Sequence, residues 1–231
     1  MDGKEGFVLT DDGNLARFLG VEIGDKDDGS FHMTQPHLIQ RILELCGIKP
    51  SEVNKRDSPA SKPLLHKDLS GHPRKHSWNY RSAVGILGYL SSGNSRPELA
   101  MAIHQCARFN ESPKLSHERA IIRICRYLLS DPTKGIIYKP NHLLGLQCYV
   151  DADFAGGWLQ NDADNPQNLM SRTGFVIMYA GCPILWSSKL QSKISLSTTE
   201  AEYIALSQAV REVIPLSYEV DPRTKKFILC E

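Results

Sequence analysis

Two carboxylates and one row of arginines are the positions in this 231-residue sequence with the types and spacing for chemistry. Asp151 ends a run of strand-type residues, Cys148-Tyr149-Val150, and is followed by Ala152-Asp153-Phe154-Ala155-Gly156-Gly157. A carboxylate at a strand end beside small residues leaves room for a hard divalent cation and a phosphate. Mg²⁺ prefers oxygen ligands and takes one or two carboxylates plus substrate oxygens. The same pattern, an Asp shortly before Gly, is also ordinary turn chemistry. The second carboxylate lies in STTEAEYIALSQAVREVIP. At about 100° per residue, Tyr203, Leu206, Val210, Val213 and Ile214 cluster on one side, with Glu202 about 60° from the centre of that sector and Glu200 at its edge. An acid turned toward a sheet is costly unless charge meets it there, and a metal shared with Asp151 is one way to meet it. The alternative is local: Ser197-x-x-Glu200 and Thr199-x-x-Glu202 both fit a capping box. Arg119, Arg123 and Arg126 recur at helical spacing and share one face, either to follow a phosphate backbone or simply to meet solvent.

The surrounding elements are readable from periodicity. LARFLGVEIGDKDDGSFHM gives two short strands about the turn cluster DKDDG. TQPHLIQRILELCG gives a helix opened by Pro36, with a stripe of Leu38, Ile39, Ile42, Leu45 and Cys46 and a stop at Gly47. Residues 49–77 are rich in Pro, Ser, Lys and His without periodicity and read as a loop, so His66, His72 and His76 are expected to be solvated rather than metal-bound. RPELAMAIHQCARFN and SHERAIIRICRYLLSD give two helices, the second with Ile121, Ile122, Cys125, Leu128 and Leu129 inward. From residue 134 the period becomes two: GIIYKP, LGLQCYVDADF, SRTGFVIMYAG and PILWSSK read as strands. A helix stopped by Pro215 and a last strand, KKFILC, complete a β-β-β-β-α-β order. The fold class expected is α/β with α+β character: a mixed sheet with a helix in the C-terminal half, preceded by a helical segment and a short hairpin plus helix.

Charge is unevenly spread. Residues 1–30 carry three basic and eight acidic side chains, residues 54–140 carry fifteen basic and six acidic, and residues 141–184 carry four aspartates and one arginine. A cationic middle beside an acidic patch suits a nuclease, in which cations follow phosphates and carboxylates hold metal; it also describes a plain solvated surface. The six cysteines are widely spaced with no CxxC pair, and are expected as small buried hydrophobes in a reducing compartment. No apolar run approaches the roughly 20 residues of a membrane span. The acidic N-terminus lacks a signal-peptide core, so an intracellular protein, cytoplasmic or nuclear, is expected.

The motifs DGNLARFLGVEI, TQPHLIQRILELCGI, YRSAVGILGYLSSGNSRPELAMAIHQCARFNESP, AIIRICRYLL, YVDADFAGGW and SRTGFVIMYAGCPILWSSKLQSKISLSTTEAEYIAL together resemble the copia-type LTR retrotransposon polyprotein. The resemblance runs almost continuously over residues 11–216. It implies the end of a reverse transcriptase palm and start of the thumb in residues 1–58, a helical, basic thumb- or connection-like segment in 59–140, and an RNase H-like domain in 141–231. By the same resemblance, Asp151 and Glu202 (Glu200 as second choice) are the catalytic, metal-binding carboxylates for Mg²⁺ or Mn²⁺. Ser197, Thr198, Thr199 and the three arginines are candidates for contact with an RNA–DNA hybrid or duplex, and the remainder of the polyprotein is a partner.

Three departures qualify this. The aromatic-x-Asp-Asp of the polymerase is expected upstream of residue 1, since neither Asp11-Asp12 nor Asp27-Asp28 occupies its place. The later acids of the RNase H family are expected beyond Glu231. Residues 157–170 look like an insertion. With two of about four carboxylates present, the expectation is negligible nuclease turnover by this chain, weak binding of one Mg²⁺ at most, and an exposed apolar sheet face. The competing expectations are a non-catalytic nucleic-acid-binding remnant and a decayed genomic remnant.

Overall fold

The computed structural model describes residues 17–51, 54–62, 64–92, 95–158, 165–220 and 227–230. Its first sheet begins with a tight hairpin, β1 (Arg17–Phe18) and β2 (Val21–Asp25), joined by Leu19 and Gly20. Both joining residues have positive φ, 48° and 81°, which a two-residue turn between right-twisted strands requires. Glycine meets that demand without strain, whereas Leu19 is held there with its carbonyl accepting from Tyr89 Oη at 2.7 Å. β2 pairs antiparallel with β3 (Phe31–Thr34) across the Lys26–Ser30 turn. Helix α1 (Pro36–Leu45) follows, its N-terminal proline supplying a ready-made helical φ and Gly47 ending it at φ 68°.

The sequence reading of two helices between residues 78 and 130 is corrected to three. α2 (Tyr80–Ser91) is capped by Asn79, whose Oδ1 accepts from Ser82 N at 2.9 Å, and buries Ala83, Val84, Leu87 and Leu90. A 3-10 turn, Pro97–Leu99, leads into α3 (Ala100–Ala107), and α4 (Leu115–Leu128) completes the bundle. α1 through α4 enclose one core built on residues such as Ile42, Leu87, Leu99, Ile121, Ile124 and Leu128. Ile124, absent from the inward set expected, is buried, while Ile122 is only partly so. β4 (Ile136–Tyr138) does not join the strands that follow it: it pairs antiparallel with β3, Met33 opposite Ile136, so the first sheet runs β1-β2-β3-β4.

The second sheet has the order β7-β6-β5-β8, from β5 (Leu146–Asp153), β6 (Arg172–Tyr179), β7 (Cys182–Leu190) and β8 (Phe227–Cys230). β5, β6 and β7 are antiparallel neighbours, and the β6–β7 hairpin repeats the two-residue solution with Ala180 and Gly181 at φ 52° and 76°. Helix α5 (Thr198–Val220) then crosses over so that β8 pairs parallel with β5, the crossover that the strand-helix-strand order demands.

α5 covers one face of this sheet, with Leu146, Cys148 and Ile177 against Ala209 and Val213. The helix does not stop at Pro215. It runs through the proline, kept on course by the buried Val213 and by Ser217, whose hydroxyl donates to the Ile214 carbonyl at 2.7 Å. The other face is not bare as expected: over β6 and β7 it meets the helical bundle, Trp186 Nε1 donating to the Ser91 carbonyl at 2.7 Å, while Tyr149 stays exposed. The five cysteines described at side-chain level are buried thiols outside any disulfide, as the spacing implied, with Cys46 and Cys125 sulfurs 3.8 Å apart.

Candidate nucleic-acid interface and the two carboxylates

The three arginines of α4 do share one surface. Arg119, Arg123 and Arg126 line a groove of about 480 Å³ together with Arg56, Lys75 and His76 from the irregular segment before α2. Helical spacing brings the first three together; a loop without periodicity delivers the others. Two anchors hold that loop. Arg123 Nη2 donates to Ser58 Oγ at 2.9 Å, tying the 56–61 stretch to the helix. The second anchor is Glu118, a carboxylate with a side chain only 1% exposed. It accepts from Arg74 Nε at 3.2 Å, Lys75 N at 3.3 Å, His76 N at 3.1 Å and His76 Nδ1 at 2.9 Å. Burial pushes the Glu118 carboxyl up, but the donors of His76 and Lys75 outweigh it and hold the group below its ordinary range.

Of the loop histidines, His72 and His76 are exposed and His66 half-buried, while the segment that carries them is anchored. His76 binds Glu118, and the carbonyls of His66 and His72 accept from His117 Nε2 and Leu115 N, both at 3.0 Å, closing the loop over the start of α4. Arg74, stacked 4.4 Å from the centre of the Trp78 ring, completes the clasp. Sequence reasoning missed Arg56, Lys75, His76 and Glu118 as parts of one site. The excess of basic residues over 54–140 contained the signal, but nothing in the loop's pattern says where it docks.

Asp151 sits in β5 opposite Gly174, out of phase with Cys148 and Val150. Leu146, Cys148 and Val150 face α5. Asp151 belongs with Tyr149 to the alternate set, lining a hollow with Gly174, Trp186, Ser188, Pro97 and Met101 on the bundle side of the sheet. Glu202 does not lie in the apolar sector of α5: it is exposed, and the buried stripe is Ala201, Ala205, Ala209 and Val213. The wheel misplaced it because the helix packs through small alanines rather than through Tyr203, which is 68% exposed. Glu200 is engaged in a cap. Its backbone N–H donates to Ser197 Oγ at 3.1 Å and its carboxylate accepts from Leu196 N at 2.7 Å. Thr198 and Thr199 begin the helix and are exposed.

The two carboxylates share one end of the sheet. Buried Gln191 donates through Nε2 to Thr173 Oγ1 at 3.2 Å and to the Ala201 carbonyl at 2.8 Å, and Thr173 is the register partner of Ala152. Their elements nonetheless present them differently, Asp151 toward the bundle side and Glu202 from the helix on the far side. Among the described residues no group of three or more His, Cys, Asp or Glu is arranged to hold a metal ion. A two-ion centre needs more oxygen ligands, converging, than Asp151 and Glu202 supply. The described residues do not supply that set.

Where the second sheet meets the bundle, Arg172 of β6 is buried. Its Nη1 donates to His104 Nδ1 at 3.2 Å and to the Ser188 carbonyl at 3.3 Å, while Nη2 lacks a hydrogen-bond partner. Burial and the Arg172 charge push the His104 imidazole down to about 4, so it is the neutral ring that accepts.

Among the described residues no helix is long and apolar enough to cross a membrane. No family model matches the chain. It is 33% identical over 208 residues to the retrovirus-related Pol polyprotein from transposon RE1 of Arabidopsis thaliana, covering 90% of this chain and 13% of that protein. It is 33% identical over 224 residues to the retrovirus-related Pol polyprotein from transposon TNT 1-94 of Nicotiana tabacum, covering 92% of this chain and 16% of that one. An uncharacterised mitochondrial protein of Arabidopsis thaliana is 31% identical over 212 residues, 90% of this chain and 80% of its own length. The chain thus spans a small part of the transposon polyproteins it matches, and that similarity, continuous over nine-tenths of its length, places it by descent: it belongs to the copia-type retrotransposon Pol polyprotein family.

Proposed function

We propose that this chain supplies the nucleic-acid grip of a reverse transcriptase/ribonuclease H region, holding the backbone of an RNA–DNA hybrid or duplex in the α4 groove. The observation that carries the reading is the convergence of Arg119, Arg123 and Arg126 with Arg56, Lys75 and His76 in one groove, where the one carboxylate among the described lining residues, Glu118, is consumed by its own anchoring bonds. Cations aligned along one groove neutralise phosphates and release counterions, which gives affinity without base readout. In this reading residues 1–58 end the palm and start the thumb, 59–140 are the thumb- or connection-like segment, and 141–231 are RNase H-like, with the rest of the polyprotein as partner inside the cell. Asp151 and Glu202 hold the family's catalytic positions, with Mg²⁺ or Mn²⁺ as the implied ion and Ser197, Thr198 and Thr199 beside them. Because no group of three or more His, Cys, Asp or Glu among the described residues could hold a metal ion, hydrolysis by this chain is not part of the proposal.

The test is hybrid binding as a function of salt. Replacing Arg119, Arg123 and Arg126 by Gln is expected to reduce the slope of log K against log salt by about two to three, roughly one for each phosphate no longer neutralised. Binding that survives Asp151→Asn and Glu202→Gln, with no strand cleavage in Mg²⁺ or Mn²⁺, fits the grip. An unchanged slope in the triple variant, or cleavage abolished by Asp151→Asn, sinks it.

A further inference from the structure

A second surface, built on α5 and the second sheet rather than on α4, combines an aromatic ring with cations. Tyr203 stands 68% exposed on the first half of α5, where burying it would have been worth free energy. It lines a hollow of about 580 Å³ with Lys193, Ser197, Ser207, Gln208 and Arg211. Positions 200, 203/204, 207/208 and 211 fall one helical turn apart, so the hollow follows a stripe of α5 roughly 16 Å long. It does not end there. A larger hollow of about 700 Å³, between α2–α3 and β6–β7, shares Ser192, Gln208 and Arg211 with it and is lined further on by Lys189 and His104. The two make one track, from Tyr203 past Arg211 to Lys189.

Cations outnumber carboxylates along that track: Lys193, Arg211 and Lys189 line it with Glu200, whose carboxylate is held by the Leu196 N–H in the helix cap, and Glu212. Arg172 is buried behind His104 and Ser188 with one guanidinium nitrogen unsatisfied, and its histidine partner is neutral and brings no compensating charge. An exposed ring stacks well only on a base whose face is free. A duplex offers such faces only at its ends, whereas an unpaired strand offers one at every nucleotide, with phosphates alongside for the flanking cations. At about 3.4 Å per stacked base the stripe accommodates a short run of them. We propose that this track binds an unpaired polynucleotide segment, Tyr203 stacking on a base while Lys193, Arg211 and Lys189 meet phosphates. It rests on the premise of the proposed function that the ligand is nucleic acid and reuses Ser197, but no residue of the α4 groove, so the two fail separately.

The probe is a fluorescently labelled oligothymidylate of about 12 nucleotides, within the span single-strand sites commonly cover, titrated against the full chain. Tyr203→Ala is expected to weaken binding about tenfold, the loss of one stacked base. Tyr203→Phe keeps the ring and is expected to stay within about twofold of the parent. Lys193→Gln and Arg211→Gln should each flatten the salt dependence, while the α4 triple Gln variant should lose more affinity for hybrid than for oligothymidylate. Because Tyr203 is exposed, its variants keep the fold, checked by circular dichroism. Parent-like binding by Tyr203→Ala overturns the proposal, as does an equal loss in Tyr203→Phe. So does a Tyr203→Ala variant that binds the strand normally but sediments differently, which would make the patch a protein contact.

Discussion

Replacing Glu118 by Gln tests whether a single buried carboxylate organises the cationic groove. The substitution preserves shape but removes the charge and turns one acceptor oxygen into a donor facing Arg74, the His76 ring and two backbone N–H groups. Each hydrogen bond to a charged group contributes about 1.5–3 kcal/mol, and removing one partner of a buried pair costs about 3–5 kcal/mol. Arg74 keeps its bond to the Trp78 carbonyl and its stacking on the ring, so the lower end applies, about 3 kcal/mol. In a protein of this size that lowers the melting temperature by roughly 6–12 °C. Because the folded carboxyl is held below its ordinary value of 4.5, its contribution is fully present above that pH and drains away as pH falls through the folded value. Urea unfolding from pH 7 down to pH 3 should therefore show a steeper acid loss in the parent than in Glu118→Gln, and the variant should also bind hybrid less tightly as Lys75 and His76 leave the groove. A loss under about 1 kcal/mol, or parallel pH profiles, would refute the reasoning.

His104 gives a second pH signature. With its imidazole pushed down to about 4 by burial and by Arg172, stability is complete above the ordinary histidine value of 6.5 and declines as pH falls from there through 4; His104→Gln should flatten that stretch of an unfolding profile. Leu87→Ala, at a fully buried position of the bundle core, is expected to cost about 2–5 kcal/mol in urea unfolding. Pro215→Ala restores a backbone donor inside α5 and should raise the urea midpoint, by about 1–2 kcal/mol after allowing for the stiffer unfolded chain that proline gives; a lowered midpoint would mean that the helix needs its proline.

Most elements were legible because their periodicity is set by one neighbouring surface. α1 and α4 show a clean apolar stripe, and the strands from 146 to 190 alternate. α2 was hidden by its composition: Gly85, Gly88 and its serines depress helix propensity, and only the packing of Ala83, Val84, Leu87 and Leu90 restores it. β4 looked like the first strand of the later series, but its partner β3 lies on the far side of the bundle in sequence, and no local pattern encodes a long-range pairing. Pro215 misled because tertiary burial on both sides outweighs one missing bond. For the site, the row of arginines was visible on a wheel, whereas Glu202 was misjudged: alanines, which a hydrophobic wheel weights lightly, form the true contact face. The resemblance fixed the lineage from motifs alone, and the docking of the irregular segment on α4 then added Arg56, Lys75 and His76 to the row of arginines.

The β3–β4 ladder has a topological consequence. By joining the strand before α1 to the strand after α4, it fastens the bundle into a closed ring, with the exposed stretch of residues 54–58 on its rim. A protease that clips this rim leaves two pieces stapled by the ladder and by the clasped helices, so nicked material should still migrate as one body until denatured. Any swing of the C-terminal sheet relative to the ring has to hinge in residues 139–145 and to release the Asn141 amide from the Ala180 carbonyl, 2.7 Å away, together with the Trp186–Ser91 and Arg172–His104 bonds.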